Sequence, residues 1–448
     1  MRVIGADDLV PRPGTAMLWA VSGDAAAARV QDAPPSFNQR THLSGEAPRT
    51  WLALAVEVPG PLRRADLARA VTTLLDRHEA LRTSFRSTGT GLRRAVHPPG
   101  SLAVVPASTR TVTSPEQARD VITAFVDERC AQWSTPPVAV AAVDRPDRST
   151  VVVAVDHALG DAWSLTVMLD EFVRLYRGEP VDPTPPPAFG AHCERESGTV
   201  VDPQDARVAS WVRFLRAHGD AAPRFPGATG VHDGEVRRAI LRDDTLIDAP
   251  TADAACRGLG VGPFAAALAA LAHGVADTTG STGPLSLLFP LHTRTLPAEA
   301  GAVGWYVTNA PITVELSANI RDTAVTAALA LREALPLGAV PIDTVVRAVG
   351  DLRRPRRDVF MASYVDYRRL PGHDAHAALD ARHVSAVTDA DDVQIWFSRT
   401  RGGLALRTRY PDTATAGATV DVLVDRVRTH LGALARAARV PAATGPVR

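Results

Sequence analysis

The sequence predicts a mixed α/β (α+β) chain built as two successive halves. Three observations carry this. Short, nearly all-apolar, β-branched runs alternate with stretches whose apolar residues recur at helical spacing; the alternation appears on both sides of residue 190; and a proline-rich segment separates the two stretches. At 448 residues the chain is long enough for two large domains.

Taken in order, the chain opens with a Pro/Gly/Ala-rich lead, weakly patterned to about Pro35. WLALAVEV (51–58) reads as a strand, followed by a helix in which Leu67, Val71, Leu74, Leu75 and Leu81 share a face. PVAVAA (137–142) and VVVAV (151–155) have the continuous apolar character of strands covered on both sides. A helix from Trp163 to Arg177 groups Leu165, Met168, Leu169, Phe172, Leu175 and Tyr176, and Gly178 is its expected stop. PVDPTPPPAFG (180–190) cannot continue a helix or an inner strand, so it is read as the linker. The expected division is an N-terminal lobe of residues 1–182 and a C-terminal lobe of 183–448. The second half reads as a helix near Asp205–His218, helical segments over 254–280, strands over 286–291 and near 304–316, a helix near 321–335, strands over 358–367, 393–400 and 404–410, and a terminal helix from Thr419 to Ala438.

Composition excludes several classes. Lys+Arg and Asp+Glu number 49 each, which argues against a polycationic nucleic-acid binder and against an acidic solvating chain. The sequence has no lysine, so neither a pyridoxal-phosphate Schiff base nor a P-loop lysine is available. Cys130, Cys193 and Cys256 form no CxxC pair, which suits a reducing compartment and not a zinc knuckle or disulfide framework. MRVIGADDLVPRPG lacks the apolar run of a secretory signal, and Phe264–Ala272 is too short to span a bilayer. A soluble, cytoplasmic protein is expected, without nucleic acid and as a monomer.

The most informative pattern follows the strand over 151–155. It reads Asp156-His157-Ala158-Leu159-Gly160-Asp161-Ala162-Trp163-Ser164. The carboxyl end of a buried strand is where an α/β sheet opens toward ligands, and an imidazole there can take a proton from an alcohol or amine. The plainer reading makes His157 a hydrogen-bonded strand end, with Asp156 and Asp161 as turn and cap residues.

At this point the sequence resembles a known family. His157-Ala-Leu-Gly-Asp161 resembles the HHxxxDG signature of the condensation-domain superfamily, which includes chloramphenicol acetyltransferase-like enzymes and polyketide-associated acyltransferases. Ser36-Phe-Asn-Gln39 resembles its S-x-x-Q motif, Arg77-His-Glu-Ala-Leu-Arg-Thr83 with Phe85 its RHEALRT-F helix end, Pro290-Leu-His-Thr-Arg294 its arginine motif, and Val303-Gly-Trp-Tyr-Val-Thr-Asn309 its VG-x-F-V-N motif. The lead with its Pro-Gly and Trp, the aspartate before His157, and Leu352-Arg-Arg-Pro-Arg-Arg-Asp-Val-Phe360 are similar to the stand-alone polyketide-associated group.

The resemblance implies two chloramphenicol acetyltransferase-like lobes forming a V with a central tunnel. It implies an acyltransferase moving an acyl group from a carrier-protein phosphopantetheine thioester, or from CoA, to a hydroxyl in natural-product or complex-lipid biosynthesis. The alternatives are a free-standing condensation enzyme forming amides and a catalytically lapsed homologue that binds a carrier. His157 would be the general base, Asp161 and Arg294 a structural ion pair across the halves, and Asp156, Trp163 and Asn309 would line the substrate. No bound cofactor or metal is implied; an acyl or peptidyl carrier protein and a small-molecule acceptor are the expected partners. Two positions depart from the signature: Asp156 stands for its first histidine and Ala162 for its glycine. If position 162 needs positive φ, alanine costs on the order of 1 kcal/mol; if it only presents an N–H, alanine serves equally.

Three further patterns are read as structural or secondary. The Arg257–Phe264 glycines fit a helix–turn–helix joint with Pro263 at N1 better than a dinucleotide loop. His373, His376 and His383 are too loosely spaced for a metal site. The arginines 353, 354, 356, 357, 368 and 369 are ordinary solvated surface, or else a basic rim that speeds docking of an acidic carrier.

Overall fold

The computed structural model describes residues 1–44, 50–89, 91–131, 133, 135–257 and 260–437. It divides into two compact units, each α/β. The first comprises Met1–Val200, His292–Val307 and Arg369–Thr388; the second comprises Val201–Leu291, Thr308–Arg368 and Asp389–Arg448. A single cut at 182/183 therefore does not reproduce the units, because two late segments of the chain return to the first. Those segments bury Ala302, Val303, Tyr306, Leu379, Ala381 and Val384 in the first unit's cores, too few apolar residues in a row to announce themselves by periodicity.

The first unit is built on a seven-stranded sheet in the order Arg2–Gly5, Arg382–Ser385, Trp51–Pro59, Arg148–Asp156, Val138–Asp144, Gly14–Ser22, Ala103–Val112. Only the first pair is parallel. Alternation explains the continuous apolar runs. Leu52, Leu54, Val56 and Val58, with Val151, Val153 and Val155, face the helices Arg64–Arg77 and Ala162–Arg177. Trp51, Ala53 and Ala55, with Val152 and Ala154, face the helix Pro115–Cys130. Both faces are covered, so both are apolar along most of their length, and the buried Glu57 accepts from Arg145 and Thr150. On the first face, Leu67, Val71, Leu74 and Leu75 lie in one cluster with Leu165, Met168, Leu169 and Phe172, and each such side chain contributes about 1.5–3 kcal/mol on burial. Gly178 takes φ 80° and closes the helix as expected.

The lead before Pro35 is less plain than its composition suggests. Gly14–Ser22 is an interior strand, with Ala16, Leu18 and Ala20 in one core and Met17, Trp19 and Val21 in the other. Its neighbour Ala103–Val112 is an edge strand, and Pro106 sits at the register shift beside Trp19, where a missing N–H is tolerated.

The RHEALRT-F motif proves structural. Arg77 donates from Nε and Nη2 to the two Glu171 carboxylate oxygens (2.9 and 3.0 Å), and His78 Nε2 lies 2.9 Å from Oε2. Burial pushes the Glu171 carboxyl up, but His78 and Arg77 outweigh it and hold it at about 2. Glu171 therefore stabilises the fold above its unfolded value of 4.5, and this contribution fades as pH falls toward about 2. Glu171→Gln is expected to cost about 2–3 kcal/mol at pH 7 and much less near pH 3, measured by denaturant unfolding.

The second unit carries the sheet order Val307–Val314, Leu285–His292, Met361–Asp366, Gln394–Arg399, Gly403–Pro411, Arg237–Asp248, Asp389–Ala390. Helices Pro263–Thr279, Ile320–Ala334 and Ala414–Ala437 contribute to its core. Pro263 takes the first helical position after Gly262, as the joint reading expects, and Gly280 at φ 71° ends the helix. Gly258 and Leu259 of that pattern, and Ala438 of the terminal helix, lie outside the described residues. Among the described residues no single helix is long and apolar enough to cross a membrane.

Candidate active site

The central strand Arg148–Asp156 ends in a one-turn helix, His157–Leu159, that Asp156 caps by accepting from Ala158 N–H (2.8 Å). The His157 N–H donates to Thr50 O (2.9 Å), fixing the turn to the neighbouring strand. The His157 ring is half-buried and lies parallel to Trp305, with centroids 3.9 Å apart and planes 22° from parallel.

One hydrogen bond decides the tautomer. His157 Nδ1 lies 2.9 Å from Gly160 O, and a carbonyl can only accept, so Nδ1 carries the proton. In the neutral ring Nε2 then holds the lone pair. Among the described residues Nε2 has no hydrogen-bond partner. Burial, and then the charge of His42, hold His157 below its ordinary 6.5. Such a ring is a free base at neutral pH.

Asp161 caps the helix Ala162–Arg177, accepting from Ser164 N–H and Oγ–H (each 2.8 Å). Arg294 grips the same carboxylate with two donors, Nη1 to Oδ2 at 2.8 Å and Nη2 to Oδ1 at 3.1 Å, and Tyr306 N–H adds 3.1 Å. Burial pushes the Asp161 carboxyl up, but Arg294 and these hydrogen bonds more than reverse it. The pair joins the two halves of the sequence, yet both partners lie in the first compact unit. It holds the turn that carries His157 from behind.

Trp163 donates from Nε1 to Ala300 O (2.9 Å), and its ring lies 5.3 Å from Arg294 Cζ. Asn309 belongs to the second unit, half-buried on the strand Val307–Val314. Ala162 is the first residue of its helix and has no positive φ, so alanine is unstrained where the signature has glycine.

Asp156 is fully buried, and its Oδ1 lies 2.9 Å from His42 Nε2. His42 and Trp305 are parts of this cluster that the sequence reading did not single out. The available signal was spacing: Gln39 and His42 are three apart on the helix Phe37–Leu43, hence on one face, and Gln39 Nε2–H donates to Ala158 O (2.8 Å). The S-x-x-Q motif is also a capping box, Ser36 Oγ accepting from Gln39 N–H and Gln39 Oε1 from Ser36 N–H. The arginine cluster is partly engaged internally: Arg356 donates to Val231 O and His232 O, and Arg368 pairs with Asp366, while Arg353, Arg354 and Arg357 are exposed.

With this geometry in place the class is defined. Residues 41–209 match the Condensation domain family, and the chain is an acyltransferase similar to its members. Its relatives are polyketide-associated acyltransferases. Acyltransferase PapA3 of Mycobacterium tuberculosis is 24% identical over 442 residues, covering 92% of each chain. Trehalose-2-sulfate acyltransferase PapA2 of the same organism is 24% identical over 443 residues, covering 92% of this chain and 93% of that one. The solved structure of a PapA2 acyl transferase superposes with a TM-score of 0.85 at 20% identity, over 97% of this chain and all of that one, and so shares its two-lobed α/β fold.

Proposed function

We propose that this acyltransferase moves an acyl group from a thioester, carried on a carrier protein's phosphopantetheine or on CoA, to a hydroxyl, with His157 Nε2 as general base. The observation that carries this is the Nδ1–H to Gly160 O bond, which leaves Nε2 as the basic atom. The acceptor O–H gives its proton to Nε2 while its oxygen bonds to the thioester carbon. The C–S bond then breaks and the thiolate takes the proton back from the imidazolium. A thioester is already activated, so positioning and one base suffice without a covalent enzyme intermediate. Asp161 and Arg294 hold the turn, and Asp156, Trp163 and Asn309 are assigned to the substrate's surroundings. A hydroxyl acceptor is preferred to an amine because one relative is named for acylating trehalose-2-sulfate, a sugar derivative. The cytoplasm, where carrier proteins and CoA thioesters reside, is the proposed location.

The test is mass spectrometry of products from a panel of acyl-CoA and carrier-bound thioesters offered to alcohols and amines, with His157→Ala as control. Ester formed only by the native chain is the expected result; amide alone would move the protein to the peptide-forming branch, and product from both chains would remove the base. The exposed Arg353 and Arg354 are proposed as part of an acidic carrier's docking rim. Arg353→Glu with Arg354→Glu should slow transfer from the carrier at least several-fold and spare acyl-CoA; equal loss with both donors would end that reading.

A further inference from the structure

His42 reaches the catalytic turn from a different element, the helix Phe37–Leu43, and nothing in the mechanism above uses it. Its side chain is almost fully buried, its Nε2 lies 2.9 Å from Asp156 Oδ1, and its ring centroid is 6.2 Å from that of His157. A carboxylate can only accept, so Nε2 of His42 carries a proton whatever the charge of the ring. The two imidazoles thus have opposite tautomers: His157 is protonated on Nδ1 and His42 on Nε2. Trp305 bridges them, stacked on His157 and edge-on to His42 with centroids 5.8 Å apart.

We propose that His42, anchored by Asp156 and 6.2 Å from His157 across Trp305, is a positioning residue for His157: a proton taken up by His42 opposes a second proton on the His157 ring and leaves Nε2 its lone pair. The inference rests on the reading of His157 as the base. The groups that bear on the His157 ring are few. Asp156 on its own turn attracts a proton, His42 repels one, and Trp305 is neutral. Cys130, at the end of the helix behind the strand, is pushed far up by burial and by Asp156 and Asp127, so it is an uncharged thiol. Asp127 itself accepts from Trp51 Nε1 at 2.6 Å. His42 is therefore the one other imidazole in ring contact with this cluster among the described residues. Its placement opposite Asp156 also explains a fully buried carboxylate at a turn whose capping duty a serine would serve.

The experiment is a histidine titration of the full-length protein, labelled with carbon-13 in its imidazoles, with the His157 signal assigned by its loss in His157→Ala. In His42→Gln the amide still offers an N–H to Asp156 but no titratable charge. The His157 midpoint is expected to rise by between about 0.5 and 2 pH units, the range for unit charges about 6 Å apart at effective dielectrics between water and a protein surface. An unmoved or lowered midpoint overturns the proposal. Should His42→Gln fail to fold, the native protein decides alone: coupled rings give broadened, two-step curves for both histidines, and two independent one-step curves overturn it. No substrate is needed, so this outcome is separate from the base assignment, which stands or falls with turnover by His157→Ala.

Discussion

His157→Ala is expected to lower acyl transfer by about 10²–10⁴-fold, the usual contribution of one positioned general base, while leaving the fold intact. The physical basis for the second half is specific. His157 is half-buried at the surface of the turn, and its side chain's hydrogen bond goes to Gly160 O, a carbonyl that water can satisfy once the ring is gone. Removing the ring forfeits its stacking on Trp305, worth about 0.5–1.5 kcal/mol. The measurement is therefore a pair: turnover of an acyl thioester with an alcohol, and the unfolding midpoint. A large fall in the first beside a small change in the second identifies chemistry. Native turnover should also rise with pH and level off, because the active form is the unprotonated ring; the midpoint lies below 6.5, since burial and His42 both disfavour the second proton. A midpoint above 6.5 would contradict the environment described here.

Much of this was legible in the sequence, and the rest was hidden for identifiable reasons. The central strands announce themselves because both of their faces are covered, so Leu52–Val56 and Val151–Val155 hold no polar residue. His157, Asp161 and Arg294 were legible from their motifs, and the last two are found gripping one another. Three things were not. Gly14–Ser22 is interior to the sheet, but the prolines and glycines flanking it mask a run of only nine residues. The return of His292–Val307 and Arg369–Thr388 to the first unit is a long-range pairing, and periodicity reports only local environment. His42 lies 114 residues from Asp156, so only the fold brings them together. The alanine at position 162 looked like a defect while its backbone was unknown. At the first position of a helix, with no positive φ to strain it, it is none.

Arg294→Ala is expected to cost about 3–5 kcal/mol at neutral pH, the penalty for leaving a buried carboxylate without its counter-charge. Arg294 and Asp161 are both buried, and the guanidinium also donates to Ser164 Oγ (3.0 Å) and Ala302 O (3.2 Å). The sign of the pH dependence separates this from a simple cavity. In the native protein Asp161 titrates below its ordinary 3.8, so it contributes stability above that value and loses it as pH falls further. Without Arg294 the burial that already pushes this carboxyl up is no longer outweighed, and its folded value moves above 3.8. The variant must then lose stability as pH rises above 3.8, where the native chain has already gained its share. The gap between them should be small near pH 3 and full by pH 7 in denaturant unfolding; a gap independent of pH would show that only packing was lost. Arg294→Met combined with Asp161→Asn should recover part of the neutral-pH loss, since it removes the stranded charge and restores volume. Turnover should stay impaired in the double variant, because the turn bearing His157 is held from behind by the geometry of two charged hydrogen bonds, which a thioether cannot make.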